Sequence, residues 1–137
     1  MGLTHLDAGV LIAFLDGDDG HHDAARLALA EALDNADRLG LAASALAECL
    51  VGPARRGPKA VAVVRSLIDR LPVSVVALDE EIATRAAVLR ARQRSLKLPD
   101  ALVLATAEHS NADRLITTDR GWPTARAMKL SVSIRLL

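Results

Sequence analysis

Aromatic side chains are nearly absent from this sequence. Among its 137 residues there are one Phe, one Trp and no Tyr. Proteins that bind single-stranded nucleic acid without sequence preference stack the bases on aromatic side chains, and two such side chains are too few for that purpose. Ala, Leu and Val must fill the interior instead, which favours helices packed closely against a sheet.

Cysteine is also scarce, and long apolar runs are absent. The single cysteine, Cys49, excludes an internal disulfide and a cysteine-based zinc site. No apolar run reaches the roughly 18 residues of a membrane span, and the first residues lack the basic segment and long apolar stretch of a signal peptide. We therefore expect a protein of a reducing compartment, the cytoplasm, without membrane association.

Net charge is likewise absent, because seventeen basic and seventeen acidic residues cancel. This balance argues against tight, non-specific coating of DNA or RNA, which requires a broad basic surface. It is compatible with an enzyme that holds its substrate briefly, or with basic residues gathered on one face. The 51% hydrophobic content argues against a disordered chain, and the length predicts a single domain over residues 1–137.

The sequence alternates short apolar segments with segments of helical periodicity. Strands are predicted at 3–6, 39–42, 73–77, 114–117 and 131–136. Helices are predicted at 10–15, 22–33, 44–52, 58–71, 80–95 and 99–110, with Ser44 and Asp79 as N-caps and Gly52-Pro53 as a helix end. Strands separated by helices pair in parallel. The predicted fold is a three-layer α/β/α sandwich with a mostly parallel central sheet.

Four acidic residues interrupt apolar segments that are far apart in the chain: Asp7, Glu48, Asp100 and Asp119. Two of them follow predicted strands, and the other two lie near the starts of predicted helices at the same edge of the sheet. Ligands of parallel sheets bind at that edge. Carboxylates among apolar residues are rarely left uncompensated, and a shared divalent cation would compensate them. Carboxylates that hold such a cation are suited to phosphodiester cleavage.

Each acid also has a simpler explanation when it is taken alone. Asp7 fits a helix cap, Asp100 fits a first-turn residue that interacts with the helix dipole, and Asp119 fits a turn. Glu48 fits a solvated helix face, although apolar neighbours in the sequence argue against that. The joint occurrence of the four acids at sheet-edge positions is what favours a shared site over these separate explanations.

With these residues identified, the chain resembles the PIN-domain family, and within it the VapC-type toxins of bacterial toxin–antitoxin pairs. The resemblance covers nearly the whole chain and rests on four segments in order: Leu6-Asp7-Ala8-Gly9-Val10-Leu11-Ile12-Ala13, Ser44-Ala45-Leu46-Ala47-Glu48, Leu98-Pro99-Asp100-Ala101-Leu102-Val103-Leu104-Ala105-Thr106-Ala107 and Thr117-Thr118-Asp119-Arg120-Gly121-Trp122.

The resemblance implies an endoribonuclease that depends on Mg²⁺, or on Mn²⁺ as a substitute. It also implies a homodimer that acts on RNA and is inhibited by a cognate VapB-like antitoxin. We expect Asp7, Asp100 and Asp119 to provide most of the metal ligation, and Glu48 to ligate the metal or orient the attacking water. Thr117 or Thr118 is expected to hydrogen-bond one of these carboxylates.

One position departs from the family pattern. Gly9 stands where the family usually has Asn or Ser, so we expect weaker catalysis or a water molecule in the space of the missing side chain. Gly9 is also the only sequence feature that supports the alternative, a non-catalytic or housekeeping PIN-like protein that binds or processes RNA. Other phosphate-handling proteins fit the sequence less well. A receiver domain requires an acidic pair at the first strand and a Lys at the last strand, and a haloacid-dehalogenase phosphatase requires an Asp where Gly9 stands. No glycine-rich nucleotide-binding motif is present.

Overall fold

A five-stranded parallel sheet organises the chain in a computed structural model that describes residues 1–137. The strands are β1 (Leu3–Leu6), β2 (Arg38–Ala42), β3 (Val73–Val76), β4 (Arg114–Thr117) and β5 (Ser133–Leu136). The helices are α1 (Ala8–Leu15), α2 (His22–Asp34), α3 (Ala43–Arg56), α4 (Pro58–Asp69), α5 (Glu80–Arg92) and α6 (Leu98–His109). None of these helices combines the length and the hydrophobicity needed to span a lipid bilayer.

The sheet has the strand order β3-β2-β1-β4-β5, and every neighbouring pair is parallel. Consecutive residues of the three central strands are buried, among them Thr4, His5 and Leu6 in β1. Because successive side chains of a strand point to opposite faces, both faces of the sheet must be covered. The three-layer α/β prediction is therefore confirmed, and the sheet is wholly parallel, including its last edge strand.

Helix packing relies on small side chains, as the scarcity of aromatic residues predicts. Helix α6 buries Ala101, Ala105 and Ala107 completely, and α2 buries Ala25 in the same way. Alanine allows close approach between helix and sheet at almost no cost in side-chain entropy. The interior is consequently a dense layer of Ala, Leu and Val with a single buried histidine.

Two predictions about helix α3 are wrong. Ser44 is not its N-cap, because the helix begins one residue earlier, at Ala43, and no side chain caps it. Gly52-Pro53 does not end it either, since the helix continues through Pro53 to Arg56 and stops at Gly57, which has φ of +118°. Proline inside a helix removes one backbone hydrogen bond, and here burial of the Pro53 ring against the core overrides that local cost.

Other helix ends follow their sequence signals. The Asp79 carboxylate accepts a hydrogen bond of 2.8 Å from the Ile82 amide, so the predicted N-cap of α5 is confirmed. Helix α5 ends at Arg92 rather than near Ser95, and β5 begins at Ser133 rather than Ser131. Shifts of this size are ordinary for boundaries that are read from sequence patterns.

His5 lies at the centre of β1, where Gly40 of β2 is its partner in the sheet. The ring is 1% exposed, and its Nε2 atom has no hydrogen-bond partner. Burial lowers the pKa of His5 to about 4, so the ring is neutral at pH 7. A Cβ added to Gly40 would overlap the His5 ring, which explains why glycine occupies the centre of β2.

We predict that Gly40→Ala destabilises the fold by about 1–3 kcal/mol, because the added methyl group must displace a ring that has no free space around it. Gly20→Ala is the matched control, since nothing lies within 4 Å of a Cβ at that position. The control variant should keep the stability of the parent or gain up to ~1 kcal/mol. Urea denaturation of the three proteins tests this, and equal losses in both variants would contradict it.

Candidate functional site

The central strands β1 and β4 define a topological switch point in the sheet. From β1 the chain proceeds through β2 and β3 to one side, and from β4 it proceeds to β5 on the other side. Parallel α/β sheets bind their ligands in the crevice that this reversal leaves at the carboxyl ends of the strands. Asp7 immediately follows β1, and Asp119 lies two residues after β4.

Asp7 is the one acid of the four that is buried, with 8% of its surface exposed. Its Oδ1 atom accepts a hydrogen bond of 2.8 Å from the Ala8 amide, and its Oδ2 atom accepts one of 2.8 Å from the Thr117 hydroxyl. The Thr117 oxygen in turn accepts a hydrogen bond of 3.0 Å from the Asp119 amide. One hydroxyl therefore connects the segments of two acids that are far apart in sequence.

The other three acids reach the same crevice from different elements. Glu48 lies in the second turn of α3, Asp100 lies in the first turn of α6, and Asp119 lies in the loop after β4. Asp100 is half-buried, whereas Glu48 and Asp119 are exposed. The apolar sequence neighbours thus indicate burial correctly for Asp7 but wrongly for Glu48 and Asp119, because helix and loop geometry turns those two side chains outward.

Electrostatic interactions connect the four acids in pairs. Desolvation is the largest cause of a raised pKa at Asp7, and the charges of Glu48 and Asp119 raise it further. Desolvation also raises the pKa of Asp100, and the charges of Asp7 and Asp119 add to the effect. Desolvation and then the charge of Asp100 raise the pKa of Glu48. The crevice therefore concentrates negative charge in partly desolvated surroundings.

Two residues without an assigned role in the sequence-based prediction lie next to Asp100. The Trp122 indole and then the Lys97 ammonium group oppose the rise in the pKa of Asp100. The indole Nε1 is buried and makes no hydrogen bond of good geometry, so it lies close to the carboxylate without being fully paired. The sequence offers one indication that Trp122 lies near the acids: it is the only tryptophan and it follows Asp119 by three residues.

Gly9, the departure from the family pattern, is explained by its neighbour Thr118. A Cβ built on Gly9 would lie 2.6 Å from the Thr118 Oγ1 atom. The Thr118 hydroxyl group therefore lies against the Gly9 backbone, where the Cβ of a larger residue would stand. Of the two threonines considered as carboxylate partners, Thr117 bonds Asp7 and Thr118 bonds none of the four acids.

Cys49, although it lies beside Glu48, is not a nucleophile. Its thiol is buried and is 3.8 Å from the carbonyl oxygen of Ala8. Burial, together with the charges of Glu48 and Asp7, raises the pKa of the thiol to about 12. The reactive thiolate form is therefore not populated near neutral pH.

The donor set of the crevice fits a hard cation that retains much of its hydration shell. Carboxylate oxygens are the ligands that Mg²⁺ and Mn²⁺ prefer. No three His, Cys, Asp or Glu side chains are close enough together to enclose an ion directly. Mg²⁺ usually keeps several water ligands and uses one or two direct carboxylate contacts.

Basic residues border the crevice on two sides. A groove of about 500 Å³ runs from Glu48 past Cys49 and Pro53 to Arg56. A smaller one of about 220 Å³ is lined by Asp119, Arg120 and Trp122 among others. Neither of these arginines forms an ion pair, unlike Arg114 and Arg135. Both guanidinium groups are therefore available to an anionic ligand.

We predict that Asp7→Asn makes the protein more stable than the parent at pH 7. The pKa of Asp7 is higher in the folded than in the unfolded state, so the parent gains stability as the pH falls through the folded pKa, whereas the variant gains nothing from this group. The advantage of the variant should therefore shrink from pH 7 toward pH 4. Urea unfolding of both proteins at several pH values measures the difference between their free energies of unfolding. The titration of His5 contributes to both proteins and cancels in that difference. A less stable variant at pH 7 would contradict this prediction.

Comparison with solved structures shows the same fold in several proteins. DNA-bound VapBC from Salmonella typhimurium matches with a TM-score of 0.71 at 17% identity, over 98% of this chain and 98% of the other. A toxin–antitoxin complex from Klebsiella pneumoniae matches with a TM-score of 0.67 at 25% identity, over 85% and 86%. The sarcin-ricin loop cleaving toxin VapC20 from Mycobacterium tuberculosis matches with a TM-score of 0.65 at 16% identity, over 82% and 86%.

Comparison at the level of sequence identifies the family. Among curated proteins, none matches the chain significantly. The PIN domain family model matches residues 5–127, which include all four acids and the whole of strands β2, β3 and β4. A match over so much of the chain is decisive: this protein belongs to the PIN domain family.

Proposed function

We propose that this protein is a metal-dependent endoribonuclease and the toxin of a VapBC-type toxin–antitoxin pair. The observation that carries the proposal is the convergence of Asp7, Glu48, Asp100 and Asp119 on one crevice, where each of three carboxyl pKa values is raised by burial and by a neighbouring acid. Such a cluster weakens the fold unless a cation offsets it, so its presence is better explained by function than by stability.

When bound, Mg²⁺ or Mn²⁺ would neutralise charge on the scissile phosphate and lower the pKa of a water molecule. Asp7, Asp100 and Asp119 would hold the ion, directly or through its water ligands. The Thr117 hydroxyl fixes the orientation of the Asp7 carboxylate by donating to its Oδ2 atom. Glu48 is exposed and lines the groove, so it would ligate the ion or orient the attacking water.

The proposal that RNA is the substrate rests on the likeness to VapC-type proteins and on the groove chemistry. One structural neighbour is described as a toxin that cleaves the sarcin-ricin loop. Arg56 lines a groove with Glu48, Arg120 lines another with Asp119, and both are unpaired, so they can bind phosphates near the cleavage point. The small number of aromatic side chains favours recognition through the RNA backbone rather than through base stacking.

The proposed partners are a second copy of this chain and a VapB-like antitoxin. Several structural neighbours are toxin–antitoxin complexes. The surface of this chain also exposes large apolar side chains, including Leu27 at 60%, Val63 at 59% and Val51 at 49%. These side chains lie on helices α2, α3 and α4, which are the surfaces that we propose for the interfaces.

We predict that the purified protein cleaves single-stranded RNA in Mg²⁺ or Mn²⁺ and stops when EDTA is added. Asp7→Asn and Asp100→Asn should each lower the cleavage rate by about 100-fold or more, because each removes a charge that the cation requires. Gel analysis of a labelled RNA under single-turnover conditions measures the rates. Full activity in EDTA, or in both variants, would remove the basis of the mechanism.

Asp79→Asn is the matched control for those variants. Asp79 also lies at a helix N-terminus, but it caps α5 through the Ile82 amide, and Asn caps a helix about as well as Asp. The control should retain the parent rate within about twofold, and a loss equal to that of Asp7→Asn would point to a general charge effect rather than to a site.

We further predict that the protein elutes as a dimer and that a short upstream reading frame encodes a protein that binds it and stops cleavage. Light scattering coupled to size exclusion measures the mass, and co-expression followed by the RNA assay measures inhibition. An active monomer whose upstream reading frame encodes no inhibitor would instead support a housekeeping nuclease. An inactive protein that binds no Mn²⁺ would support the non-catalytic alternative.

A further inference from the structure

Thr118 carries a hydroxyl group that the protein itself does not use. Its neighbour Thr117 donates to Asp7 and accepts from the Asp119 amide, so the donor and one of the two acceptor positions of that hydroxyl are in use. Thr118 is half-buried, and its oxygen is not among the buried polar atoms that lack a partner. The Thr118 hydroxyl is therefore reachable by solvent and retains one donor and two acceptor positions.

The position of this hydroxyl is fixed by the chain on both sides. Thr118 directly precedes Asp119, and its Oγ1 atom occupies the space next to Gly9, where a Cβ would be only 2.6 Å away. Gly9 in turn follows Asp7 by two residues, in the first turn of α1. The hydroxyl is thus held between the segments that carry two of the four acids.

The Gly9 backbone contributes to the same small region. Its amide donates to no backbone carbonyl, because it belongs to the first turn of α1, whose amides have no partner within the helix. An amide and a hydroxyl with free hydrogen-bonding capacity thus lie side by side at the acid cluster. Only glycine leaves room for both, since any larger residue at position 9 would push the Thr118 hydroxyl aside.

We propose that Thr118 is a positioning residue that hydrogen-bonds a water ligand of the divalent cation at the acid cluster. This inference rests on the proposed function. Mg²⁺ is usually bound by one or two carboxylates and keeps several water ligands. Groups that hold those waters then contribute strongly to the affinity for the ion. The Thr118 hydroxyl makes no hydrogen bond within the protein, so it is free to hold one of those waters.

If the contact between Thr118 and Gly9 serves packing alone, a different result is expected. If Thr118 only fills space above Gly9, a side chain of the same shape without the hydroxyl should serve equally well. Valine has that shape, so Thr118→Val separates the two explanations. Thr118→Ser keeps the hydroxyl and loses only a methyl group, and it is the matched control.

The experiment measures Mn²⁺ affinity without RNA. Trp122 is the only tryptophan, there is no tyrosine, and the indole lies beside Asp100. Quenching of its fluorescence by Mn²⁺ therefore gives the dissociation constant directly, and calorimetric titration provides a second value. Thr118→Val should bind Mn²⁺ about tenfold more weakly than the parent, with an unchanged melting temperature in the absence of metal. Thr118→Ser should bind within about threefold of the parent.

RNA cleavage provides the second readout. The Mn²⁺ concentration that gives half-maximal cleavage should rise about tenfold in Thr118→Val, while the KM for RNA at saturating Mn²⁺ stays unchanged. The double variant Gly9→Ser/Thr118→Ala places the hydroxyl on residue 9 instead of residue 118. The alanine at position 118 leaves space for the serine side chain. This double variant should recover Mn²⁺ affinity relative to Thr118→Val.

The outcomes separate this inference from the proposed function. If the parent protein binds no Mn²⁺ and cleaves no RNA, both fall together. If the parent binds and cleaves but Thr118→Val matches it, the inference alone is wrong. A variant with unchanged Mn²⁺ affinity and a raised KM for RNA would also overturn it, because the hydroxyl would then contact the substrate rather than the hydration shell.

Discussion

Repulsion among four carboxylates at one sheet edge is the constraint on which the rest of this structure depends. Asp7 sits at its centre, buried after the middle strand and held by the Thr117 hydroxyl and the Ala8 amide. These hydrogen bonds favour the ionised form, but desolvation and the neighbouring acids outweigh them, since the pKa of Asp7 is raised overall. A fold that places uncompensated charge at the carboxyl ends of its central strands loses local stability there, and the proposed cation would restore it.

The surrounding scaffold tolerates this cost because it is rigid and closely packed. The central strands are buried on both faces, and α6 lies against them through alanines that are almost completely buried. Small side chains bring α6, which carries Asp100 in its first turn, close to β2 and β4 on either side of β1. A core built from larger aromatic residues would separate helix and sheet further, so the composition of the interior bears directly on the spacing of the acids.

Much of this arrangement could be predicted from the sequence, and the exceptions have physical reasons. Strand ends at Leu6 and Thr117 were visible because apolar runs stop at an acid or a threonine. The continuation of α3 through Pro53 was not, because burial of the ring is a tertiary effect. The exposure of Glu48 was missed because neighbours in sequence are not neighbours on a helix face. The contact between Gly9 and Thr118 joins residues from opposite ends of the chain, and no local pattern reports it.

The charge distribution also constrains the order of events at the site. The chain as a whole is neutral, yet its crevice is negative, and RNA is a polyanion. Under the proposed function, the acids would repel a scissile phosphate until a cation offset them, while the unpaired Arg56 and Arg120 would attract flanking phosphates. Metal binding would then strengthen RNA binding, and by reciprocity bound RNA would strengthen metal binding.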